Sequence, residues 1–401
     1  MIISYIIITH NRCQTLMTNL ARLERQTPWG RDQWELFVVD NASTDQTAEA
    51  VESWFPTVNL IQRPSNEGMS ARNHAIEVAR GKYIVFLDDD SYPMGTALKD
   101  SVAYLDEHPK TAAVVGRVVL PNGECEAPAM PAVTLGGASM VRREVLKKVG
   151  GFATEFFRQA EEYDLSFRIW DAGYAIERFE DVLYGHDKVP ASRSSDLTAR
   201  MDLRNNLILA RRYLPRQLGR EYRHDWLRRY GALAMHEGHR EAMMQAIAEA
   251  RQMARSETSG GRRILKNKTI ESIFELDRQA GLVKKWAAKQ GIKRVAIAGM
   301  SKNLYATYQA AQRIGLEIAA IVESHPAHSG RSYRGLPIIP VVTIDKLGVQ
   351  GVILSNVNPA QVDGRMKELS WCFRGPILRL WEPKYLRPAS GAGDEPYSKV
   401  A

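Results

Sequence analysis

At 401 residues the chain is long enough for two or three folded units, each with its own core. A charged fraction of 25% and a hydrophobic fraction of 44% are those of a soluble globular protein and exclude a disordered or fibrous chain. The net charge is +8, no apolar stretch approaches the roughly 20 residues that span a bilayer, and Cys13, Cys125 and Cys372 have neither disulfide-framework nor zinc-site spacing.

Met1 to Ile8 is apolar but has no basic region ahead of it and runs directly into Thr9-His10-Asn11-Arg12. It therefore reads as a strand, Ile2 to Thr9, rather than a signal peptide, and a reducing cytoplasm is the expected compartment. Leu16, Leu20 and Leu23 follow at helical spacing. Glu35 to Val39 is the next strand, ending in Asp40-Asn41-Ala42-Ser43-Thr44-Asp45, which suits a turn and a helix cap. A third strand near Val58 to Gln62 leads through Asn66-Glu67-Gly68 into a predicted helix, Met69 to Arg80, stopped by Gly81. The fourth strand, Tyr83-Ile84-Val85-Phe86-Leu87, ends in Asp88, Asp89 and Asp90.

Such alternation predicts an α/β fold with a mainly parallel sheet, so that Thr9, Asp40 and Asp88 to Asp90 emerge at one edge, where open α/β sheets bind ligands. Three neighbouring carboxylates at the end of a buried strand repel one another unless a cation is shared, which points to a divalent metal site. The competing reading is a solvated acidic turn before Pro93.

Between Arg200 and Lys268, 16 basic residues face seven acidic ones. This helical, arginine-rich stretch is either a solvated face or a surface for an anionic membrane or a phosphorylated acceptor. Nucleic acid is not expected as a partner, because no helix-turn-helix, RNP or zinc-finger pattern accompanies the charge. After the break at Ser256 to Gly261, a helical stretch from Ile264 to Gln290 precedes Arg294-Val295-Ala296-Ile297-Ala298-Gly299, Glu317 to Glu323 and Gly351 to Ser355, a second βαβ system. The tail from Pro388 to Ala401 has few apolar residues and is expected to be disordered.

Five segments in order carry a family resemblance: Ile7-Ile8-Thr9-His10-Asn11-Arg12, Val38-Val39-Asp40-Asn41-Ala42-Ser43-Thr44-Asp45, Asn66-Glu67-Gly68-Met69-Ser70-Ala71-Arg72-Asn73, the triple aspartate, and Ala160-Glu161-Glu162-Tyr163-Asp164-Leu165. Together they resemble a family 2 glycosyltransferase of the GT-A fold over residues 1–215. That resemblance implies an inverting transferase that moves a sugar from a nucleoside diphosphate sugar to a hydroxyl of a glycan or glycolipid, with Mn²⁺ or Mg²⁺ as cofactor. It places Asp90 on the metal, with His186 completing the shell or touching the diphosphate, Asp89 near the nucleotide, and Thr9, Asp40 and Arg72 in the nucleoside pocket. If strand alternation persists, Asp88 and Asp90 point to one side and Asp89 to the other, with Asp88 beside the donor.

An acceptor hydroxyl needs a positioned general base. Glu162 is the candidate, at a place where similar enzymes commonly carry aspartate, and Glu161 and Asp164 are reserves; the alternative is that these acids serve the dipole of the helix they open. Gly136 and Gly137 are small enough to let backbone approach a sugar or phosphate closely, or simply make a tight turn.

Residues 216–290 then form a helical extension, and residues 291–387 look like the small Rossmann-like domains of polysaccharide biosynthesis proteins. Gly299-Met300-Ser301-Lys302-Asn303 lacks the full dinucleotide fingerprint. Glu323 stands where an acid would hold a ribose, but a scaffold or homo-oligomerisation role competes with ligand binding. The expected location is cytoplasmic, with peripheral contact at the inner face of the membrane left open. Two rivals remain. A sugar-phosphate nucleotidyltransferase needs a glycine-rich basic loop after the first strand, which Ile8-Thr9-His10-Asn11-Arg12 does not supply; the other is a non-catalytic nucleotide-sugar-binding assembly protein.

Overall fold

The computed structural model describes residues 1–188, 195–256 and 262–387. The expected disordered tail from Pro388 and the break at 257–261 lie outside the described residues. In chain order the first part contains β1 (Ile3–Thr9), α1 (Cys13–Gln26), β2 (Trp34–Asp40), α2 (Thr47–Trp54), β3 (Asn59–Gln62), α3 (Arg72–Val78), β4 (Tyr83–Asp88), β5 (Ser91–Pro93) and α4 (Ala97–Glu107). It continues with β6 (Thr111–Val119), β7 (Cys125–Glu126), β8 (Ser139–Arg142), α5 (Arg143–Val149), α6 (Glu161–Asp171) and β9 (Ala175–His186). The described strands form a nine-stranded sheet of order β3-β2-β1-β4-β8-β6-β9-β5, with β7 hydrogen-bonded to β6.

The four strands read from the sequence are parallel neighbours. Thr9 is in register with Asp40, and Ile8 with Asp88, so their carboxyl ends share one edge. The apolar runs of β1, β2 and β4 are buried on both faces, with Ile3, Ile6, Val38, Val39, Val85 and Leu87 fully covered, as expected of strands flanked by helices, while edge strand β3 is only partly covered. Antiparallel β8 then joins β4 to β6.

The helix predicted from Met69 to Arg80 is shorter than expected. Its first turn is a 3₁₀ turn, Gly68–Ala71, and α3 ends at Val78. The Arg80 and Gly81 amides instead donate to the Glu35 carboxylate and the Ser4 hydroxyl. Gly81 is required by close packing rather than by a left-handed cap: a Cβ there would lie 2.4 Å from the Ser4 nitrogen.

Helices α7 (Ser195–Tyr213), α8 (Arg216–His236), α9 (Arg240–Ser256), α10 (Asn267–Phe274) and α11 (Leu276–Gln290) follow. The predicted continuous helix to Gln290 is broken at Glu275, whose φ is +50°, and the Glu271 carboxylate takes up the Asp277 and Arg278 amides freed by the break. Much of the arginine surplus is used internally. Arg204 and Arg212 pair with Glu249 and Glu155, and Arg211 and Arg262 donate to backbone carbonyls near helix ends. A buried aromatic cluster of Tyr163, Phe167, Tyr213, Tyr222, Trp226 and Phe274 joins α6 to α7, α8 and α10.

The last part comprises β10 (Arg294–Ala298), α12 (Leu304–Arg313), β11 (Glu317–Val322), β12 (Ser332–Tyr333), β13 (Leu336–Ile339), β14 (Gly351–Leu354), α13 (Val362–Cys372) and β15 (Ile377–Arg379). Its described strands form a second sheet of order β12-β13-β11-β10-β14-β15, parallel except for β12. The chain then returns to the first sheet, where the Glu180 amide donates to the Lys384 carbonyl at 2.9 Å and Asp181 accepts from the Leu386 amide. Among the described residues no helix is long and apolar enough to cross a membrane.

Candidate active site

Strand β4 ends at Asp88, and the next residues turn, so the alternation of the aspartates expected from strand geometry does not persist. The Asp88 amide donates to the Ser91 hydroxyl at 2.8 Å, and Asn19 donates to the Asp88 and Ser91 carbonyls, fixing the turn. Asp89 and Asp90 consequently face one cation together: Arg12 lies 2.9 Å from the Asp89 carboxylate and 2.7 Å from that of Asp90. Asp88 departs alone, toward Arg72 at 2.8 Å.

Each carboxylate has a different electrostatic setting. Burial raises the Asp89 carboxyl to about 7 despite Arg12 and the Thr9 hydroxyl, which donates to it at 3.0 Å. Burial acts on Asp90 in the same direction, but His186 and Arg12 outweigh it and hold the carboxyl at about 2. His186, on the last residue of β9, points its Nε2 at the Asp90 Oδ1 from 3.1 Å and its Nδ1 at the Glu126 carboxylate from 2.6 Å. Burial would lower the imidazole, yet the two carboxylates raise it to about 10.

Across the cleft, the segment entering α6 is strained. Phe157, Gln159 and Ala160 have φ of +46°, +66° and +63°, a region that costs non-glycine residues about 1 to 3 kcal/mol each. Asn205 of α7, fully buried, donates to the Phe156, Arg158 and Gln159 carbonyls at 3.0, 2.9 and 2.6 Å. The Met69 amide donates to the Phe157 carbonyl at 2.6 Å. Gly68 permits this approach, since a Cβ there would fall 2.0 Å from that oxygen.

The first turn of α6 therefore enters the cleft at a fixed angle. Glu161 is buried with one carboxylate oxygen unpartnered, and burial and neighbouring Glu162 push its carboxyl well up. Glu162 is raised chiefly by burial, against its own amide and Arg72, which favour the charge. Asp164, two residues on and thus about 200° around the helix from Glu162, faces the core. It is 1% exposed, paired with Arg168 at 2.6 Å, and accepts from the Tyr213 hydroxyl.

One cleft of about 1050 Å³ is lined by Thr9, Asp88, Asp89, Glu161, Glu162 and His186, together with Arg12, Asn41 and Glu126. Asp40, Arg72, Asp90, Gly137 and Asp164 do not line it. The buried Asp40 carboxylate accepts the Ser43 amide at 2.9 Å and closes the turn after β2. Arg72 is wholly buried behind Asp88, and Asp90 stands behind Arg12 and His186. The glycines make room for the protein's own side chains: a Cβ on Gly136 would lie 3.0 Å from Arg72 and 3.4 Å from Glu162, and one on Gly137 would lie 2.8 Å from Asp88.

Residues 4–128, which carry the aspartate edge of this cleft, match the profile of glycosyl transferase family 2. That match spans 125 of the 401 residues. Poly(ribitol-phosphate) β-N-acetylglucosaminyltransferase TarS of Staphylococcus aureus is 36% identical over 109 residues, 26% of this chain and 19% of that protein. The chain thus matches about a fifth of this curated relative's length. Glycosyltransferase AglE of Haloferax volcanii is 26% identical over 208 residues, 47% of this chain and 67% of AglE. The crystal structure of residues 1–349 of S. aureus TarS in complex with UDP-GlcNAc superposes with a TM-score of 0.50 at 18% identity, covering 84% of this chain and 98% of that one. At that identity the likeness speaks for the fold, in agreement with the mainly parallel first sheet.

Arg12, Glu126, Gly68 and Asn205 belong to the site's framework but were not singled out as site residues by sequence reasoning. Arg12 and Gly68 lie within the motif segments that carry the family resemblance, and Asn205 falls in Arg204-Asn205-Asn206-Leu207, which shares in that resemblance. Glu126 has none, being brought to His186 only by the pairing of β7 with β6.

Proposed function

We propose that the protein is an inverting glycosyltransferase that moves a sugar from a nucleoside diphosphate sugar to a hydroxyl of a glycan or glycolipid acceptor. The observation that carries this reading is that the aspartate edge and Glu162 line the same cleft. An attacking hydroxyl and a departing diphosphate must lie on opposite sides of one sugar, and a single hollow with a base on one wall and charge-handling groups on the other meets that requirement.

A divalent cation fits the residues present. The Asp90 Oδ1 and His186 Nε2 are buried, face each other and have no hydrogen-bond partner in good geometry, while Glu126 orients the imidazole from its far side, the usual arrangement around a metal-binding histidine. Among the described residues no group of three or more metal-ligating side chains gathers. Asp90 and His186 would therefore hold Mn²⁺ or Mg²⁺ as a minimal protein set that donor phosphates complete, as small hard cations commonly allow. When bound there, the cation supplies Lewis-acid neutralisation of the leaving diphosphate.

The chain's own groups do the rest. Arg12 answers the negative charge of Asp89 and Asp90 before the donor arrives and is placed to answer that of the diphosphate. Thr9 and Asp89 present a hydroxyl and a carboxylate to the nucleotide. Glu162 accepts the acceptor's hydroxyl proton at its carboxylate; its raised basicity favours uptake, and Arg72 favours its charged form.

The test is nucleotide release from UDP-, GDP- and dTDP-sugars with and without Mn²⁺. Cation-dependent release from one of them is expected; none from any donor, with polyol or glycan acceptors present, would overturn the reading.

A further inference from the structure

The loop between β10 and α12, Gly299 to Asn303, occupies the place where a doubly wound sheet receives a dinucleotide phosphate. Here it is closed by protein. Arg229 of α8 donates to the Met300 carbonyl at 2.7 Å, and the Trp226 indole donates to the Lys302 carbonyl at 3.3 Å. Asn303 pairs with Gln279 of α11, and the Met300 amide donates to Glu323 at 2.8 Å. Glu323 is thereby spent on the loop and on Arg365 instead of a ribose.

From this loop Lys302 reaches into the helical layer behind the active site. It is 4% exposed, its Nζ stands 3.6 Å over the Tyr163 ring and 5.1 Å from that of Trp226, and among the described residues no carboxylate lies within 4.0 Å of it. Stacking on an aromatic face returns only part of the cost of desolvating an ammonium, whereas an apolar side chain would fill the same space without that cost. A cation is thus held, at a cost, directly behind the residue that follows Glu162.

We propose that Lys302 is a positioning residue for Glu162, so that the second sheet contributes to the active site of the first. This inference rests on the transferase reading, with Glu162 as base. Glu162 is faced by Glu161 beside it, by Asp88 at the end of β4 and by Arg72 at the start of α3. Lys302 is faced by Asp202 of α7, Arg229 of α8, and Glu162 itself. A second cation behind the helix acts with Arg72 to favour the charged form of Glu162, the form that accepts a proton. The ammonium also clamps Tyr163, and with it the turn that carries the base.

The full chain carrying K302M, K302R or E162Q is assayed for transfer across pH. K302M is expected to move the acidic limb of the kcat profile upward by about one pH unit with donor KM retained, and K302R to restore it. A K302M profile that superimposes on wild type after scaling overturns the proposal. Independently of catalysis, the Lys302 side chain is titrated by NMR in protein with labelled lysines. Because coupling between two sites is reciprocal, E162Q should lower its midpoint, and an unmoved midpoint overturns the proposal even if K302M does not fold. Failure of the transferase reading looks different: wild type releases no nucleotide from any donor, while the NMR titration still decides whether Lys302 and Glu162 are linked.

Discussion

The side-chain amide of Asn205 donates to the carbonyl of Gln159 at 2.6 Å, across the junction between α7 and the segment that enters α6. The same nitrogen also takes the Phe156 and Arg158 carbonyls, so one buried side chain restrains a stretch in which three residues have left-handed backbone. Asn205→Ala leaves these carbonyls without their donor and lets the strain relax. A loss of about 2 to 4 kcal/mol is expected, read as a lower urea midpoint, together with a fall in turnover as the α6 entrance loses its angle.

Glu162→Gln should lower kcat by about 10²-fold or more while leaving donor binding intact, since only the proton acceptor is removed. Asp164→Asn should do the reverse. Its carboxylate neutralises Arg168 in the core, so breaking the pair costs stability, about 3 to 5 kcal/mol. Turnover per folded molecule should stay near wild type. Steady-state kinetics beside thermal unfolding separates the two.

Cation removal gives a third prediction. Chelation should abolish donor-dependent nucleotide release, and added Mn²⁺ should restore it. Glu126→Gln, which touches the imidazole rather than the ion, should weaken the apparent cation affinity about 10- to 100-fold, measured as the Mn²⁺ concentration at half-maximal activity.

Lys302 imposes a pH dependence on stability. Burial is the main cause that depresses its ammonium to about 7, against the attraction of Asp202, while the unfolded chain keeps the proton to about 10.4. Between those values the unfolded state binds the extra proton, so folding stability rises with pH. The cost is full below pH 7 and relieved as pH climbs toward 10. Lys302→Met removes it, so the variant's stability relative to wild type should be greatest near pH 6 and should shrink by pH 9 in urea denaturation. A constant difference across that range would contradict the assignment.

How much of this was legible in the residues depends on distance along the chain. The four parallel strands announce themselves as apolar runs ending in polar turns, and their common edge follows from the handedness of crossovers. Asp89, Glu162 and His186 sit in local motifs and meet in the cleft as those motifs suggest. Asp40 and Asp164 sit in the same motifs yet are turned inward, because a capping turn and a helix face decide side-chain direction, and neither is a property of spacing alone. Glu126 was invisible because its role depends on a two-residue strand pairing across a loop. Lys302 was visible only as one basic residue in an incomplete phosphate loop, since its destination lies on the aromatic surface of another layer.

The return of residues 381–387 to the edge of β9 has a practical corollary. With its far end fastened beside Glu180 and Asp181, the distal α/β module is moored to its neighbour at exit as well as at arrival. Excising the N-terminal portion near Pro215 would strip Tyr213 and Phe167 of the aromatic surroundings supplied by Tyr222, Trp226 and Phe274. A shortened fragment of that kind should be poorly soluble, and bench work on the N-terminal portion is better served by keeping the polypeptide whole.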